Sequence, residues 1–167
     1  KSLAHLSELP QLTDLNLGKV KLNTLTDCPP PLKKLRLMGK ELRSLQGIES
    51  CSQLESVKIV HSNISDLEPL FKLPQLRQLT FNFSALSEVV INYSAPQLES
   101  LNLQKNQLQQ LAIEAEQPQL KQLFLDQNQL KTVELNGQTP QLVTLSLANN
   151  QIEDLSQMPP IKSLTGI

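Results

Sequence analysis

Residues 96–111 read PQLESLNLQKNQLQQL, and this stretch decides the fold of the whole chain. Counting Leu98 as position 0, leucine stands at positions 0, 3, 5, 10 and 13, and asparagine stands at position 8. The pattern starts again 22 residues later at Leu120 and another 22 residues later at Leu142, with Val and Ile replacing two of the leucines. Three copies in phase predict a chain made of repeated coils.

The spacing has a simple physical reading. Leu101 and Leu103 alternate with polar residues, which predicts a short strand with one buried face. Asn106 follows where the chain turns away, and its amide can both donate to and accept from backbone groups of neighbouring coils. Leu108 and Leu111 return to the same core, and one coil cannot bury them alone, so the coils must stack. The predicted asparagine ladder consists of Asn106, Asn128 and Asn150.

With this pattern the chain resembles the leucine-rich-repeat family. Residues 63–76, NISDLEPLFKLPQL, are similar to repeats of bacterial internalins and of protein-phosphatase regulatory subunits. Residues 29–37, PPPLKKLRL, resemble the shorter repeats of secreted bacterial effectors. The resemblance implies an α/β-type leucine-rich-repeat solenoid, a right-handed superhelix with an inner parallel β-sheet, mostly extended or 3₁₀ outer segments and little helix. It also implies that the concave sheet binds other proteins.

The repeat accounts for the whole chain. Residues 1–167 fit a single leucine-rich-repeat domain of about 7.5 repeats, most of them 20–22 residues long. The chain begins partway through one repeat and stops within the strand of another, so we expect a fragment of a longer chain. The residues at position 0 are Leu12, Leu32, Leu54, Leu76, Leu98, Leu120, Leu142 and Ile161.

The outer segments differ along the chain. Residues 63–73 place leucines three apart and predict a short 3₁₀ or helical turn. Residues 87–91, 110–113 and 132–135 alternate in polarity and predict extended segments. At position 8 the first four repeats carry Val20, Lys40, Ser62 and Ser84 in place of asparagine, so we expect the N-terminal half to be less regular than the C-terminal half.

Composition and motifs argue against several classes of function. The net charge of −1 gives no general attraction to nucleic acid. No apolar run approaches the roughly 20 residues that span a bilayer, so membrane insertion is not expected. The sequence contains no phosphate-binding loop, nucleophile elbow, convergent acid–base set or zinc-ligand spacing. We therefore expect a protein that is not an enzyme and needs no metal or cofactor.

The candidate partner-binding residues lie at positions 2, 4 and 6 of the strands. Arg36 and Lys58 are adjacent like charges, which favours a mixed basic and apolar patch for an acidic partner segment. The alternative is that both side chains extend into water and have no function. Phe124 is either an apolar anchor or a lone exposed ring without a role. The full candidate set is Lys34, Arg36, Met38, Lys58, Val60, Thr80, Asn102, Gln104, Phe124 and Asp126.

Two further motifs leave alternatives open. Cys28 and Cys51 fall on adjacent coils, close enough for a disulfide, but free buried thiols are equally compatible with the sequence. The compartment therefore stays undecided between secreted, cell-surface and cytoplasmic. Asn63, Asn82 and Asn92 each begin a glycosylation sequon, a match that a chain rich in Asn and Ser also produces by chance.

The first hypothesis is protein–protein recognition through the concave face, in a bacterial secreted or surface protein that binds a host protein. The alternative is a targeting or regulatory repeat domain of a larger enzyme, such as a GTPase or ubiquitin ligase. A third is a purely structural role, in which the concave rows contain no binding hot spot.

Overall fold

The computed structural model describes residues 3, 6, 8–19, 21, 24–154 and 164–165. Nearly all of the regular structure within these ranges is β-strand, with little helix and a 3₁₀ turn at Ile48–Ser50. In chain order the elements are β1 (Asp14–Gly18), β2 (Lys34–Met38), β3 (Ser56–Val60), α1 (Glu68–Phe71), β4 (Gln78–Asn82), β5 (Glu88–Ile91), β6 (Ser100–Asn102), β7 (Gln110–Ile113), β8 (Gln122–Phe124), β9 (Thr132–Leu135), β10 (Thr144–Ser146) and β11 (Leu164–Thr165).

The strands form two parallel sheets on opposite sides of the coils. The larger sheet has eight strands in the order β1-β2-β3-β4-β6-β8-β10-β11, and the smaller has three in the order β5-β7-β9. Each strand pairs with the strand of the next coil at equal repeat positions; for example, Leu101 lies opposite Leu79 and Leu123. This arrangement confirms the leucine-rich-repeat solenoid with an inner parallel sheet and little helix.

The core is the stack of leucines between the two sheets. Leu98, Leu101 and Leu103 are fully buried, and so is Leu108 at position 10. Phe81 takes position 5 in its coil and is also fully buried. Each buried side chain therefore packs on its equivalent in the neighbouring coils, and the apolar area removed from water grows with every coil added.

Asparagine at position 8 joins neighbouring coils. The Asn128 side-chain Nδ2 donates to the carbonyl oxygens of Leu103 at 3.0 Å and Leu125 at 2.8 Å. Its Oδ1 accepts the backbone N–H of Leu108 at 3.1 Å. Asn150 makes the equivalent bonds one coil later, to Leu125 at 3.0 Å and to its own coil at 2.9 Å. The carbonyl of Leu125 thus accepts from two successive asparagines.

Serine continues this hydrogen bonding toward the N-terminus. The backbone N–H of Ser84 donates to Asn106 Oδ1 at 3.1 Å, and the backbone N–H of Ser62 donates to Ser84 Oγ at 3.0 Å. Lys40 at the same position is exposed, and Val20 lies outside the described residues. The Ser84 hydroxyl bonds two backbone groups, the Ser62 N–H and the Asn82 carbonyl, whereas the Asn106 side chain bonds four, so the connection weakens but persists.

The expected irregularity of the N-terminal half is wrong for the concave sheet. Strands β1 to β4 have five residues each, whereas β6, β8 and β10 have three. Backbone pairing continues past the shorter strands, because Leu103 N–H donates to Phe124 O at 2.9 Å and Lys105 N–H to Asp126 O at 3.0 Å. The presence of asparagine therefore does not set strand length.

The outer side follows the sequence pattern. Strands β5, β7 and β9 fall within or on the segments predicted to be extended, and α1 falls within residues 63–73. In the described part of the chain no helix has the length and apolarity that crossing a membrane requires.

Cys28 and Cys51 form a disulfide, with their Cα atoms 5.1 Å apart. The bond joins two adjacent coils in the part of the chain where position 8 holds Lys40 rather than asparagine. Gly47, four residues before Cys51, has a φ of +89°, and a Cβ there would approach the Thr26 backbone nitrogen to 2.6 Å. The glycine thus permits the close contact between the two coils that the disulfide joins.

Replacing Asn128 with alanine tests how strongly position 8 holds the coils together. The change removes four side-chain hydrogen bonds and leaves buried backbone groups without partners, so we expect the free energy of unfolding to fall by about 2–4 kcal/mol in urea denaturation. The matched control is Asn136→Ala on the outer side, where the exposed side chain donates to the Glu114 carboxylate. Its expected cost is below about 0.5 kcal/mol. Equal losses in the two variants would contradict the role given to Asn128.

Candidate functional site

The concave face presents rows of side chains that run across the strands. Positions 2, 4 and 6 point away from the leucine core, and the parallel register places equal positions side by side. Neighbours in a row are about 4.8 Å apart, the spacing of paired strands. A partner lying across the strands would therefore meet one side chain from each coil.

Arg36 lies directly opposite Lys58 in the register of β2 and β3. Both are exposed, and within the described ranges neither forms an ion pair with a carboxylate. Lys34, one step along the same strand as Arg36, reaches Asp14 with a nitrogen–oxygen distance of 3.5 Å. The face therefore carries two adjacent uncompensated cations beside one that is partly neutralised.

An apolar strip borders these cations. Met38 is 44% exposed and lies opposite half-buried Val60. A methionine with this exposure is available for contact, because nothing in the sheet covers its flexible thioether.

The middle of the face is a hydrogen-bonded network. The Asn102 side chain makes two hydrogen bonds with Gln104. Its Oδ1 accepts from the Gln104 backbone N–H at 3.1 Å, and its Nδ2 donates to Gln104 Oε1 at 3.3 Å. The side-chain amide of Gln104 in turn donates to Asp126. Thr80 precedes this network by one coil and is half-buried.

Asp126 is held from both sides. Its Oδ1 accepts from the hydroxyl of Ser146 at 2.5 Å and from the backbone N–H of Ala148 at 3.1 Å, while Oδ2 accepts from Gln104. Burial by itself raises the pKa of Asp126, but the hydrogen bonds from Ser146, Gln104 and the backbone outweigh it, so the pKa lies below its usual value. The carboxylate is therefore fixed in its charged form by the protein itself.

Phe124 occupies the centre of the face but is half-buried rather than open. The register places Asn102 of β6 and Ser146 of β10 directly opposite it. The sequence interpretation treated this ring as exposed, because nothing on its own strand face required burial. The structure corrects that view, since the two flanking strands cover part of the ring.

A further row, which the sequence did not predict, borders the concave sheet at position 7, beyond the end of each strand. We call it the rim row. Its non-glycine members all have a positive φ between 54° and 58°. In three successive coils it forms a stack: the His61 and Phe83 ring centroids are 5.1 Å apart, and Lys105 Nζ lies 4.6 Å from the Phe83 centroid. The described rim row is Lys19, Gly39, His61, Phe83, Lys105, Gln127 and Asn149.

The three sequon asparagines differ in accessibility. The Asn63 side chain is exposed but donates to the Lys40 carbonyl at 2.7 Å. Asn82 is half-buried on the concave face, and Asn92 is exposed on the outer side after β5. Among the residues that the structure describes, no three His, Cys, Asp or Glu side chains come together as a group that could hold a metal ion.

Comparison with known proteins supports the fold. The chain matches no protein-family model and no curated protein sequence. Its structure is similar to that of an internalin, InlF, from Listeria monocytogenes, with a TM-score of 0.55 and 21% sequence identity. The likeness covers 97% of this chain and 63% of the internalin, so the chain spans less than two thirds of that protein. At this identity the comparison shows a shared leucine-rich-repeat fold.

The lowered pKa of Asp126 implies that the free energy of unfolding depends on pH in the acidic range. Its stabilising contribution is complete above the usual aspartate pKa of about 3.9 and is lost as the pH falls through the lower folded value. We therefore expect the free energy of unfolding of Asp126→Asn to depend less steeply on pH below about 4 than that of the unchanged protein. Urea denaturation at a series of pH values measures this. Parallel pH profiles would show that the hydrogen bonds to Asp126 do not stabilise its charged form.

Proposed function

We propose that this leucine-rich-repeat solenoid is a protein-recognition module whose concave sheet binds an acidic segment of a partner protein. The observation that supports this most strongly is the pairing of Arg36 with Lys58 on adjacent strands, with no carboxylate to neutralise them among the described residues. Like charges directly opposite each other on paired strands cost up to roughly 1 kcal/mol. A carboxylate of a partner placed between them would remove this repulsion.

The rest of the sheet supports the same role. The hydrogen bonds among Asn102, Gln104, Asp126 and Ser146 fix four side chains before any partner arrives. Ordering a flexible side chain on binding costs about 0.5–1.5 kcal/mol, so a surface that is already ordered loses less entropy. Phe124, at the centre of the face, offers a partly exposed ring as an apolar contact.

The disulfide favours a secreted or cell-surface protein over a cytosolic targeting domain. Disulfides persist in oxidising compartments and are rare in the cytosol. The Cys28–Cys51 bond therefore supports the first hypothesis, in which a bacterial secreted or surface protein binds a host protein. A GTPase or ubiquitin ligase domain working in the cytosol would keep these two cysteines reduced. No nucleic acid, metal or cofactor enters this proposal.

The cations should act mainly on association. With a partner captured by pull-down on this chain, the double variant Arg36→Ala with Lys58→Ala should lower the association rate and its dependence on salt, because exposed charges steer the encounter. Biolayer interferometry at several salt concentrations measures the association rate and its salt dependence. The matched control is Arg43→Ala with Lys131→Ala, which removes two exposed cations outside the concave strands. If the control slows association and the concave pair does not, binding takes place elsewhere.

Phe124 should act on dissociation instead. Phe124→Ala removes an apolar contact at the centre of the face, so we expect a faster dissociation rate with little change in association. The comparison is Tyr93→Ala, which removes an exposed ring from the outer side. An unchanged dissociation rate for Phe124→Ala would remove this residue from the binding site.

A further inference from the structure

The fold does not explain the aromatic ring in the rim row. Every described non-glycine residue at position 7 has a left-handed backbone conformation. The repeat therefore imposes this conformation, whichever residue type stands there. Asparagine, as at Asn149, adopts this conformation readily, whereas a bulky residue does so at a cost. Phe83 nevertheless occupies it and leaves 46% of its surface exposed. Folding gains little from such a ring, which indicates a role in binding.

The ring is part of a continuous surface. His61 and Lys105 contact Phe83 from the two neighbouring coils, and Met38 and Val60 continue the apolar surface at position 6 of the preceding strands. Met38 and Phe83 are both more than two fifths exposed. We call Met38, Val60, His61, Phe83 and Lys105 the rim patch.

The charges at positions 4 to 8 are of one sign through the first five coils, and the next coil carries Asp126 at position 6. Positions 4 to 8 of the first five coils contain five basic residues and no Asp or Glu, although the whole chain has a net charge of −1. In the part of the chain that the structure describes, none of the five forms an ion pair. The basic residues are Lys19, Arg36, Lys40, Lys58 and Lys105. Such a surface complements an acidic partner and repels a basic one.

We propose that the rim patch binds an extended acidic segment of the partner, with one apolar side chain of that segment seated beside Phe83. This rests on the proposed function and names the chemistry of the partner. From the coil of Met38 to the coil of Lys105 the surface crosses three strand spacings, about 14 Å, which is the length of about four extended residues. The acidic groups of the segment would lie toward Arg36, Lys58 and Lys105, and its apolar group between Met38 and Phe83.

The probe is a short synthetic peptide of Asp and Glu with one central Phe, added to the chain while amide chemical shifts are followed by NMR. Two matched peptides accompany it, one with Ala in place of Phe and one with Lys in place of the acids. We expect the acidic Phe peptide to shift the amides of the rim patch. The Ala peptide should bind about tenfold more weakly, and the Lys peptide should not bind.

The decisive variant is Phe83→Asn, which places at position 7 the residue type found at Asn149. It should weaken binding of the acidic Phe peptide about tenfold while the melting temperature stays equal or rises. The control Tyr93→Asn removes an exposed ring from the outer side and should leave peptide binding unchanged. The melting temperature separates loss of the binding surface from loss of the fold.

The alternative outcomes are distinguishable. Shifts confined to Thr80, Asn102 and Phe124, and unaffected by Phe83→Asn, would overturn the rim patch and leave the concave-sheet proposal standing. Shifts confined to Val90 and Tyr93 on the outer side would overturn both proposals. Equal binding of the Phe and Ala peptides, or no binding of either, would overturn the apolar seat beside Phe83.

Discussion

The C-terminal coils are joined by backbone carbonyl oxygens that each accept two hydrogen bonds. The backbone oxygens of Leu103 and Leu125 each accept hydrogen bonds from two asparagine side chains, one in the same coil and one in the next. This bonding satisfies polar groups that the turn would otherwise bury without partners. It also fixes the distance and register between coils. In the C-terminal coils this bonding helps to keep equal repeat positions side by side, which is the arrangement that places the side chains of the concave face in rows.

The stacking of coils also determines which residues of the described chain can vary. The leucines at positions 0, 3 and 5 are buried in the core. Only the residues between them, and those after the strands, can therefore change their residue type freely. Each of those residues can change without disturbing its neighbours in the core, because stability is a sum over adjacent coils. Cations can therefore lie side by side on β2 and β3, and an aromatic ring can follow β4, without disturbing the leucine core. The Cys28–Cys51 disulfide joins coils where the shared-carbonyl arrangement is missing.

Much of the fold could be predicted from the sequence, because the 22-residue period states directly which leucines are buried and which residues face outward. The alternation at residues 110–113 and 132–135 likewise predicted β7 and β9. The period could not predict how far one strand covers another, which is why Phe124 was expected to be exposed. Nor could it show that Asp126 is held by residues of both neighbouring coils, since those bonds depend on side-chain length and direction. The pairing of Cys28 with Cys51 needed the distance between two coils.

The rim row was missed for a different reason. A left-handed backbone position is usually occupied by glycine or asparagine, but here Lys, His, Phe and Gln also occupy it. The pattern of residue types therefore carried no signal. Only the position itself, one residue before position 8 of the repeat, could have indicated it. Once the backbone is known, the same residues become informative, because an exposed Phe83 at such a position needs a reason other than folding.

Native-state hydrogen exchange tests the central claim, that asparagine side chains hold the coils together, most directly. The backbone amides of Ser84, Leu108 and Leu130 donate to the side-chain oxygens of Asn106, Asn128 and Asn150. We predict that these amides exchange as slowly as those of the central strands β6 and β8, and through openings that denaturant promotes, because breaking their bonds requires separating coils. Fast exchange that does not respond to denaturant would show that the asparagines release their partners by local motion, and would contradict the account.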